Sequence, residues 1–441
     1  MRLALSLSML LLLQTPASRP KPLEYKETKL PNGLTVITHE DHSTPVINLQ
    51  LWYHAGSKDE KTGRTGFAHL FEHLMFKGSA HVKPEEHDKL ITNAGGVSNA
   101  YTQDDVTVYW ETFPANFLEK ILWMEADRMA ALDVSEENFK SERDVVKEER
   151  LTRIENPPYG DLLERLYTNA FDVHPYKHVT IGSMADLNAA TISDVRDFYQ
   201  TYYVPGNATL VIAGDFKSDQ ALDSVKRYFG SIPKSQKSIV RSNLKEPSHN
   251  KERRIANSKA VPLPAYVAGY YIPADGHPDS YPLVVASKIL SEGRSSRIYQ
   301  SLVYSKQLAI EAEANGNFTE DPNLFFAILI MNRGDSVDEG EKALNAELMR
   351  LTMEPVSDKE LEKAKNKIRS EYAFGRQSVQ EKAQALGHAA VIHSDAATVN
   401  SEYDLFMKVT KEDIMRVAKT YFRPENRTVL IVTPPQRGNA N

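Results

Sequence analysis

The sequence predicts an α+β fold made of two tandem homologous domains, each an antiparallel-rich sheet packed with helices. The main observation is a repeat: Thr191–Ile212 recurs as Thr410–Ile431, without a gap and at an offset of 219 residues. In both copies a threonine N-cap opens an amphipathic helix, a Pro-x-Asn turn ends it, and a β-branched strand follows. The offset is about half of the 441 residues, which suits two domains of ordinary size. A chance likeness is disfavoured because so many identities keep the same register.

Strand and helix patterns alternate along the first copy, which is typical of an α+β domain. Strands are expected at three places: Leu34–Thr38 after an Asn-Gly turn, Val46–His54, and Thr107–Phe113. Helical periodicity is expected at four places: residues 65–77, 84–93, 115–131 and 135–155. The second copy restarts the strand pattern at Tyr266–Ile272.

The predicted boundary between the domains is a segment rich in Lys, Ser and Pro. We therefore expect an N-terminal domain over residues 18–232, a linker over 233–258 and a C-terminal domain over 259–441. These limits give each domain one copy of the repeated module.

Residues 1–17 have the features of a signal peptide. Arg2 supplies the positive charge, Leu3–Leu13 is a short apolar run, and Thr15–Ala17 offers a cleavage site with small residues. We expect an exported protein, either periplasmic or secreted. An uncleaved anchor is the alternative, although the run is short for a bilayer span.

Composition narrows the kinds of chemistry that the chain can perform. The absence of cysteine excludes disulfides, thiolate metal sites and a cysteine nucleophile, so any metal must be held by His, Asp or Glu. The formal net charge of −6 disfavours nucleic acid as the main partner. Beyond the N-terminal segment, no apolar stretch approaches the length of a membrane span, so none is expected in the mature chain.

His69, Glu72 and His73 form a His-x-x-Glu-His pentapeptide inside a predicted helix. Residues four apart share a helix face, so the two imidazoles can turn towards one ion. Paired imidazoles suit zinc, and Glu72 on the neighbouring face can accept a proton without being a ligand. Two surface histidines on an amphipathic helix are the plainer alternative. Apolar residues recur around the motif at helical spacing, so the helix is expected to be largely buried and its polar groups to need partners.

The duplication allows the motif to be compared with its own copy. At the repeat offset the three motif positions are occupied by Lys288, Ser291 and Glu292. The fold is therefore duplicated and the candidate metal site is not. Both copies would share a packing requirement, so this asymmetry favours a functional role.

A catalytic zinc site needs a third protein ligand and leaves one position open. The acidic helix expected over residues 135–155 is the natural source of that ligand. Glu142 and Glu149 are seven residues apart and share a face, whereas Glu148 lies about 100° away on a more solvated side. Spacing alone does not choose between Glu142 and Glu149. A charged, merely solvated helix is the alternative.

Together these motifs resemble the inverzincin peptidases, a family that includes pitrilysin, insulin-degrading enzyme and the mitochondrial processing peptidase. The resemblance covers nearly the whole chain after the leader. It rests on the His-x-x-Glu-His helix, the acidic helix, the duplicated domain, and two further stretches, Ala94–Thr102 and His174–Tyr176. The two-domain length resembles the short, processing-peptidase-like branch of the family.

The resemblance implies a role for each residue of the candidate metal site. His69, His73 and Glu149 are the implied ligands of one zinc ion per chain. Glu72 is the implied catalytic base. Glu142 matches a carboxylate that orients the ligands, a type of support that metal sites commonly need.

The resemblance implies two elements that bind the peptide substrate, and this sequence matches only one of them. Asn99, Ala100 and Tyr101 match the edge strand on which family members bind substrate as an added β-strand. Family members also supply an Arg and a Tyr, seven residues apart, that contact the scissile carbonyl. Val303 and Ile310 stand at the matching positions. The resemblance therefore implies a homologous partner subunit that supplies the Arg/Tyr pair.

The combined expectation is an exported zinc endopeptidase that cleaves extended or unfolded peptides and acts as the catalytic subunit of a two-chain enzyme. A homodimer is the first alternative, because symmetric pairs are the commonest assembly. A non-catalytic scaffold of the same fold and a zinc hydrolase of small amides are the others.

Overall fold

The computed structural model describes residues 19–435 apart from residues 236, 240, 242 and 243. The predicted signal peptide, residues 1–17, lies outside this part of the chain. Within the described part, none of the helices is both long enough and apolar enough to cross a bilayer.

The first half of the described chain contains six strands and eight α-helices. In chain order they are β1 Lys26–Lys29, β2 Thr35–Glu40, β3 Val46–Tyr53, α1 Phe67–Leu74, α2 Glu86–Asn93, β4 Val97–Thr102, β5 Thr107–Pro114, α3 Leu118–Ala131, α4 Glu136–Arg150, α5 Leu162–Ala170, α6 Met184–Ala189, α7 Ile192–Tyr202, β6 Ala208–Gly214 and α8 Ser218–Phe229.

The second half of the described chain contains five strands and six α-helices. In chain order they are β7 Arg253–Ser258, β8 Ala265–Ile272, α9 Ser280–Ser291, β9 Ala309–Gly316, β10 Asn323–Met331, α10 Val337–Met353, α11 Asp358–Phe374, α12 Val379–Val391, α13 Thr398–Lys408, α14 Lys411–Tyr421 and β11 Arg427–Thr433.

The two sheets share the same five-strand topology, which confirms the predicted duplication of an α+β domain, and the first sheet has β1 as an additional edge strand. The first sheet has the order β1-β2-β6-β3-β5-β4 and the second β7-β11-β8-β10-β9. Neighbouring strands are antiparallel except for one parallel pair in each sheet, β2 with β6 and β7 with β11. After the 219-residue shift, β3, β6 and α7 have the bounds of β8, β11 and α14. Thr191 and Thr410 cap the two equivalent helices through reciprocal hydrogen bonds with Asp194 and Asp413.

Alternate residues of the central strand β3 face two different layers, as the period of a β-strand requires. Leu49, Leu51 and Tyr53 point into the main core of the first half, which they share with α1, α3, α7 and α8. Trp52 points to the opposite face of the sheet and belongs to a separate apolar cluster. The helix that bears the His-x-x-Glu-His motif is therefore fixed against the sheet by the main core.

The second face of each sheet is covered by a helix from the other half. In the first sheet Trp52 packs in one cluster with Leu386 of α12. In the second sheet Val267 packs in one cluster with Leu166 of α5. Because α5 and α12 occupy equivalent places in the repeat, this exchange is reciprocal. Separating the halves would expose apolar surface on both sheets, so we expect them to unfold together.

Replacing Gly387 by alanine is expected to destabilise the contact between the halves. Gly387 lies on α12 against the Trp52 indole, and an added Cβ would stand 2.2 Å from the ring atoms Cε2 and Nε1. Overpacking of this kind typically costs about 1–3 kcal/mol. Urea unfolding should show a lower midpoint for Gly387→Ala. Gly206→Ala is the matched control, because its Cβ would meet only the Asn32 carbonyl oxygen, at 3.8 Å. Equal midpoints for the two variants would contradict the packing argument.

The structure differs from the sequence prediction at the edges of the sheets. The last six residues of the expected linker, Arg253–Ser258, form β7 and pair with β11. At the edge of the first sheet, β1 was missed altogether. Both strands carry charged side chains, which edge strands commonly use against aggregation. β1 contains no apolar residue and β7 begins with two arginines, so neither shows the apolar alternation that predicts a strand. The helix expected over residues 135–155 ends as an α-helix at Arg150, and a π-helical turn over Leu151–Glu155 follows it.

Candidate metal centre

Helix α1 presents the His-x-x-Glu-His motif at the boundary between core and solvent. Its apolar residues, which include Leu70 and Phe71, are fully buried in the main core. The imidazoles lie at the margin of this buried face, where the side chains of His69 and His73 are 12% and 21% exposed. A metal at this position would be held by a rigid helix and would remain accessible.

A buried carboxylate fixes the first turn of α1. Oε2 of Glu60 accepts a hydrogen bond from the Gly66 amide and Oε1 accepts one from the Ala68 amide, both at 2.8 Å. Gly66 has a φ of 92°, and a Cβ there would approach the Ile181 carbonyl oxygen to 2.7 Å. Glycine is required at this close approach. Sequence reasoning missed Glu60, although a carboxylate at a helix N-terminus is a recognisable stabilising feature.

Three side chains converge where α1 meets α4. Nε2 of His69 lies 3.7 Å from Oε1 of Glu149, and Nε2 of His73 lies 3.4 Å from Oε2 of the same carboxylate. One donor atom of each side chain lies within 4.8 Å of the other two. Oε1 of Glu149 also pairs with the exposed Arg153 at 2.6 Å. The structure thus brings together the three residues that the resemblance implies as ligands.

Glu142 contacts His73 at the ring nitrogen that does not face Glu149. Its Oε2 is 3.5 Å from Nδ1 of His73, and its Oε1 pairs with Nζ of Lys77 at 3.0 Å. Glu149 faces both imidazoles, whereas Glu142 contacts the other nitrogen of one of them. The geometry therefore favours Glu149 as the third ligand and Glu142 as the carboxylate that orients His73. Lys77 was not identified from the sequence; it lies three residues beyond the end of α1, so helical spacing does not predict its contact with Glu142.

Glu72 is held in place by the end of the edge strand β4. The hydroxyl of Thr102 donates a hydrogen bond to Oε2 of Glu72 at 2.7 Å. This contact places the carboxylate between the motif helix and the strand expected to bind substrate. Thr102 was also missed from the sequence alone, because no local pattern connects residues 30 positions apart.

Burial and neighbouring charges set the protonation of these groups. Burial lowers the pKa of His69 to about 3, with positive charge on His73 and Arg153 acting in the same direction. The His69 imidazole is therefore neutral, which is the form that binds metal. Burial raises the pKa of Glu72, against the opposing effect of the hydrogen bond from Thr102. A raised carboxyl pKa suits a general base that works near neutral pH.

The residues of the cluster fit a zinc ion. Two ligands of one tetrahedral zinc, each about 2.0–2.1 Å from it, lie about 3.4 Å apart. The separations of 3.4 and 3.7 Å from Glu149 to the two imidazoles are close to this value. They are long for direct hydrogen bonds. Two imidazoles and a carboxylate are also a donor set found in catalytic zinc sites.

The predicted substrate strand lies at a sheet edge beside the motif. Asn99, Ala100 and Tyr101 lie in β4, the last strand of the first sheet, which pairs with β5 on one side. Val97 in the same strand is 56% exposed. The hydroxyl of Tyr101 accepts a hydrogen bond from Nε2 of Gln384 on α12 at 2.6 Å. The second half of the chain therefore supports the strand next to the candidate site.

Val303 and Ile310, the positions where an Arg/Tyr pair was expected, lie in the second half. Val303 is partly buried in a π-helical turn over Tyr299–Ser305. Ile310 lies in β9, the edge strand of the second sheet, and is 56% exposed. Both side chains are apolar, so neither can donate a hydrogen bond to a carbonyl.

Comparison with known proteins covers both halves of the chain. Residues 35–183 match the family described as Insulinase (Peptidase family M16), and residues 189–368 match the domain described as Peptidase M16 inactive domain. The Helicobacter pylori protein named Zinc protease PqqE is 32% identical over 415 residues, which cover 93% of each chain. A probable mitochondrial-processing peptidase subunit beta from Arabidopsis thaliana is 23% identical over 424 residues, covering 94% of this chain and 79% of the relative.

A solved structure supports the same assignment. The crystal structure of a protease from Helicobacter pylori superimposes with a TM-score of 0.90 at 32% identity, covering 93% of this chain and 100% of that one. The predicted resemblance is confirmed by these likenesses, which extend over both domains. The chain belongs to the insulinase family of peptidases, family M16.

Proposed function

We propose that this protein is an exported, zinc-dependent endopeptidase that cleaves extended or unfolded peptides. The observation that carries the proposal is the convergence of His69, His73 and Glu149 beside the carboxylate of Glu72. The name of the Helicobacter pylori relative, a zinc protease, supports the same metal and reaction. Export is proposed from the signal-peptide features of residues 1–17.

Metal binding, proton transfer and positioning are assigned to different residues of the site. His69, His73 and Glu149 would hold a zinc ion, which would supply a Lewis acid for the scissile carbonyl and lower the pKa of the attacking water. Glu72 accepts a proton from that water and later donates it to the leaving amine. The hydrogen bond from Thr102 fixes the carboxylate of Glu72 for both transfers. Glu142 holds the ring of His73, and Lys77 in turn holds the carboxylate of Glu142.

The edge strand β4 favours a peptide over a small amide as substrate. An extended peptide can add to the free side of a sheet edge and gain backbone hydrogen bonds along its length. Asn99, Ala100 and Tyr101 lie on this edge, and Thr102 at its end contacts Glu72. A peptide bound beside β4 would therefore run past the catalytic carboxylate. Because backbone groups provide the affinity, we expect tolerance of varied sequences.

We further propose a homologous partner chain that supplies the Arg/Tyr pair. Zinc peptidases need groups that hold the carbonyl oxygen as charge develops on it. The matching positions here carry Val303 and Ile310, which cannot do so. A partner of the same fold would complete the site from outside this chain.

Three glutamates of α4 provide a graded test of the metal site. Replacing Glu149 by glutamine should weaken zinc binding by more than about 100-fold, since a ligand is lost. Replacing Glu142 by glutamine should weaken it about 10–100-fold, the usual effect of a residue that orients a ligand. Glu148→Gln is the matched control, because Glu148 is an exposed neighbour of Glu149. Zinc affinity is measured by competition with a chelator of known affinity.

The order of the three variants decides the assignment. Unchanged zinc affinity in Glu149→Gln would overturn the proposed ligand set, and a larger loss in Glu142→Gln than in Glu149→Gln would exchange their roles. Circular dichroism of each variant shows whether α4 is intact. The exposed substitution at Glu148 should match the wild type in both measurements.

A further inference from the structure

We propose a second site for a divalent transition metal, formed by Asp275, His388 and His393 in the second half of the chain. Asp275 follows β8, His388 lies near the end of α12, and His393 comes just after that helix. One donor atom of each residue lies within 4.8 Å of the other two. This site is separate from the His-x-x-Glu-His motif and adds a second metal ion to the one expected per chain.

The donor atoms have the separations of ligands around one ion. Oδ2 of Asp275 lies 3.5 Å from Nε2 of His388 and 3.2 Å from Nε2 of His393. These values bracket the separation of about 3.4 Å between two ligands of a tetrahedral zinc. They also resemble the distances of 3.4 and 3.7 Å in the first cluster. In both places one carboxylate faces two imidazole nitrogens, through both oxygens of Glu149 in the first cluster and through Oδ2 of Asp275 alone in the second.

The partners of His393 indicate which of its nitrogens is free for a metal. The Thr398 hydroxyl donates to the Asp395 carbonyl oxygen at 2.8 Å, so it accepts from Nδ1 of His393 at 3.1 Å. In the neutral ring the proton is then on Nδ1, and the lone pair of Nε2 points towards Asp275. Hydrogen bonds from the second ring nitrogen commonly orient metal-bound imidazoles in this way.

Nε2 of His393 needs a cationic partner. The atom is buried and makes no hydrogen bond, although Oδ2 of Asp275 is 3.2 Å away. A lone pair facing a carboxylate oxygen is unfavourable unless a cation lies between them. A protonated imidazole is the alternative cation, and Asp275 raises the pKa of His393, but Nε2 makes no well-formed hydrogen bond to that carboxylate. A metal ion shared by the three donors satisfies all of them together.

The site has a route of access and a donor set that favours zinc. His388 and His393 line a cavity of about 350 Å³, and the His388 side chain is 41% exposed. Two imidazoles and one carboxylate suit zinc and similar transition metals better than calcium or magnesium, which prefer oxygen ligands. At the repeat offset the three positions carry Gly56, Asn169 and His174, so the ligand set is not a shared packing feature.

Occupation of the site would tie the end of α12 to the segment after β8. His388 directly follows Gly387, which contacts the Trp52 indole on the first sheet. Gln384 on the same helix donates to Tyr101 of the candidate substrate strand. We therefore expect the metal to stabilise the packing of α12 on the first sheet.

The test counts metal ions in a chain whose first site has been removed. The full-length chain with His69→Ala and His73→Ala is dialysed against ZnCl2 and then against metal-free buffer, and zinc per chain is measured by mass spectrometry. We expect two equivalents in the wild type and one in this double variant. Adding Asp275→Asn or His393→Ala to the double variant should remove the remaining equivalent. His277→Ala, an exposed histidine two residues from Asp275, should leave it in place.

Two results would overturn the second site. One is a double variant that retains no zinc while its circular dichroism matches the wild type. The other is a retained equivalent that neither Asp275→Asn nor His393→Ala removes. Cobalt substitution gives an independent reading, because the ligand-field absorption of the double variant should disappear in both triple variants. The expected zinc-dependent rise in melting temperature of the double variant should be absent in the same triple variants.

Discussion

Glu72→Gln is expected to bind zinc as the wild type does and to lose peptide hydrolysis by roughly 10²–10⁴-fold or more, the usual contribution of a general acid–base group. The amide has nearly the shape of the carboxylate but cannot accept a proton from water. It still accepts a hydrogen bond from Thr102, so the local structure should persist. Zinc per chain and the hydrolysis of an extended fluorogenic peptide are measured on the same preparation, together with the partner chain where one is required.

Thr102→Val provides the matched control for this variant. It keeps the shape of residue 102 and removes the hydrogen bond to Glu72, while the base itself remains. We expect an intermediate loss of roughly tenfold or more, in line with a hydrogen bond to a charged group. Loss of zinc from Glu72→Gln would make Glu72 a ligand, and full activity in that variant would remove it from catalysis. Either result contradicts the proposed mechanism.

The motif could be predicted from the sequence because its information is local. His69 and His73 are one helical turn apart, so their shared face follows from helix geometry alone. The choice between Glu142 and Glu149 could not be made in the same way. Both lie on one face of α4, and only the placement of α4 against α1 brings Glu149 opposite the two imidazoles. The contact of Thr102 with Glu72 likewise depends on tertiary packing.

The same distinction explains what was predicted of the fold. The repeated module gave correct elements in both halves because its caps, turns and apolar period are local signals. The edge strands β1 and β7 were missed because neither shows apolar alternation: β1 has no apolar residue, and β7 begins with two arginines. The exchange of α5 and α12 between the two sheets had no sequence signal at all. The apolar residues of α5 and α12 would suit the sheet of either half. Long-range packing, which local sequence patterns do not report, decides which sheet each helix covers.

The second large effect is expected from the proposed partner chain. Purified alone, the protein should bind zinc and hydrolyse peptides weakly or not at all. Each missing donor to the developing oxyanion costs about 10²–10³-fold in turnover, so two absent donors leave little activity. Adding a chain of the same fold that carries the Arg/Tyr pair and lacks the His-x-x-Glu-His motif should restore turnover. Peptide hydrolysis is measured against partner concentration, with the molar mass followed by light scattering.

The chain also allows the missing donors to be introduced directly. Val303→Arg with Ile310→Tyr places the expected pair on the second half, where Ile310 is exposed on the edge strand β9. If two copies can face each other as the two chains of the proposed enzyme do, this variant should gain activity as a homodimer. Ile310→Phe, with Val303 unchanged, adds the aromatic ring without either donor and should gain none. Full turnover by the unmodified chain as a homogeneous monomer or homodimer would contradict the proposal. It would show that catalysis does not need donors at positions 303 and 310, and therefore does not need a second kind of subunit.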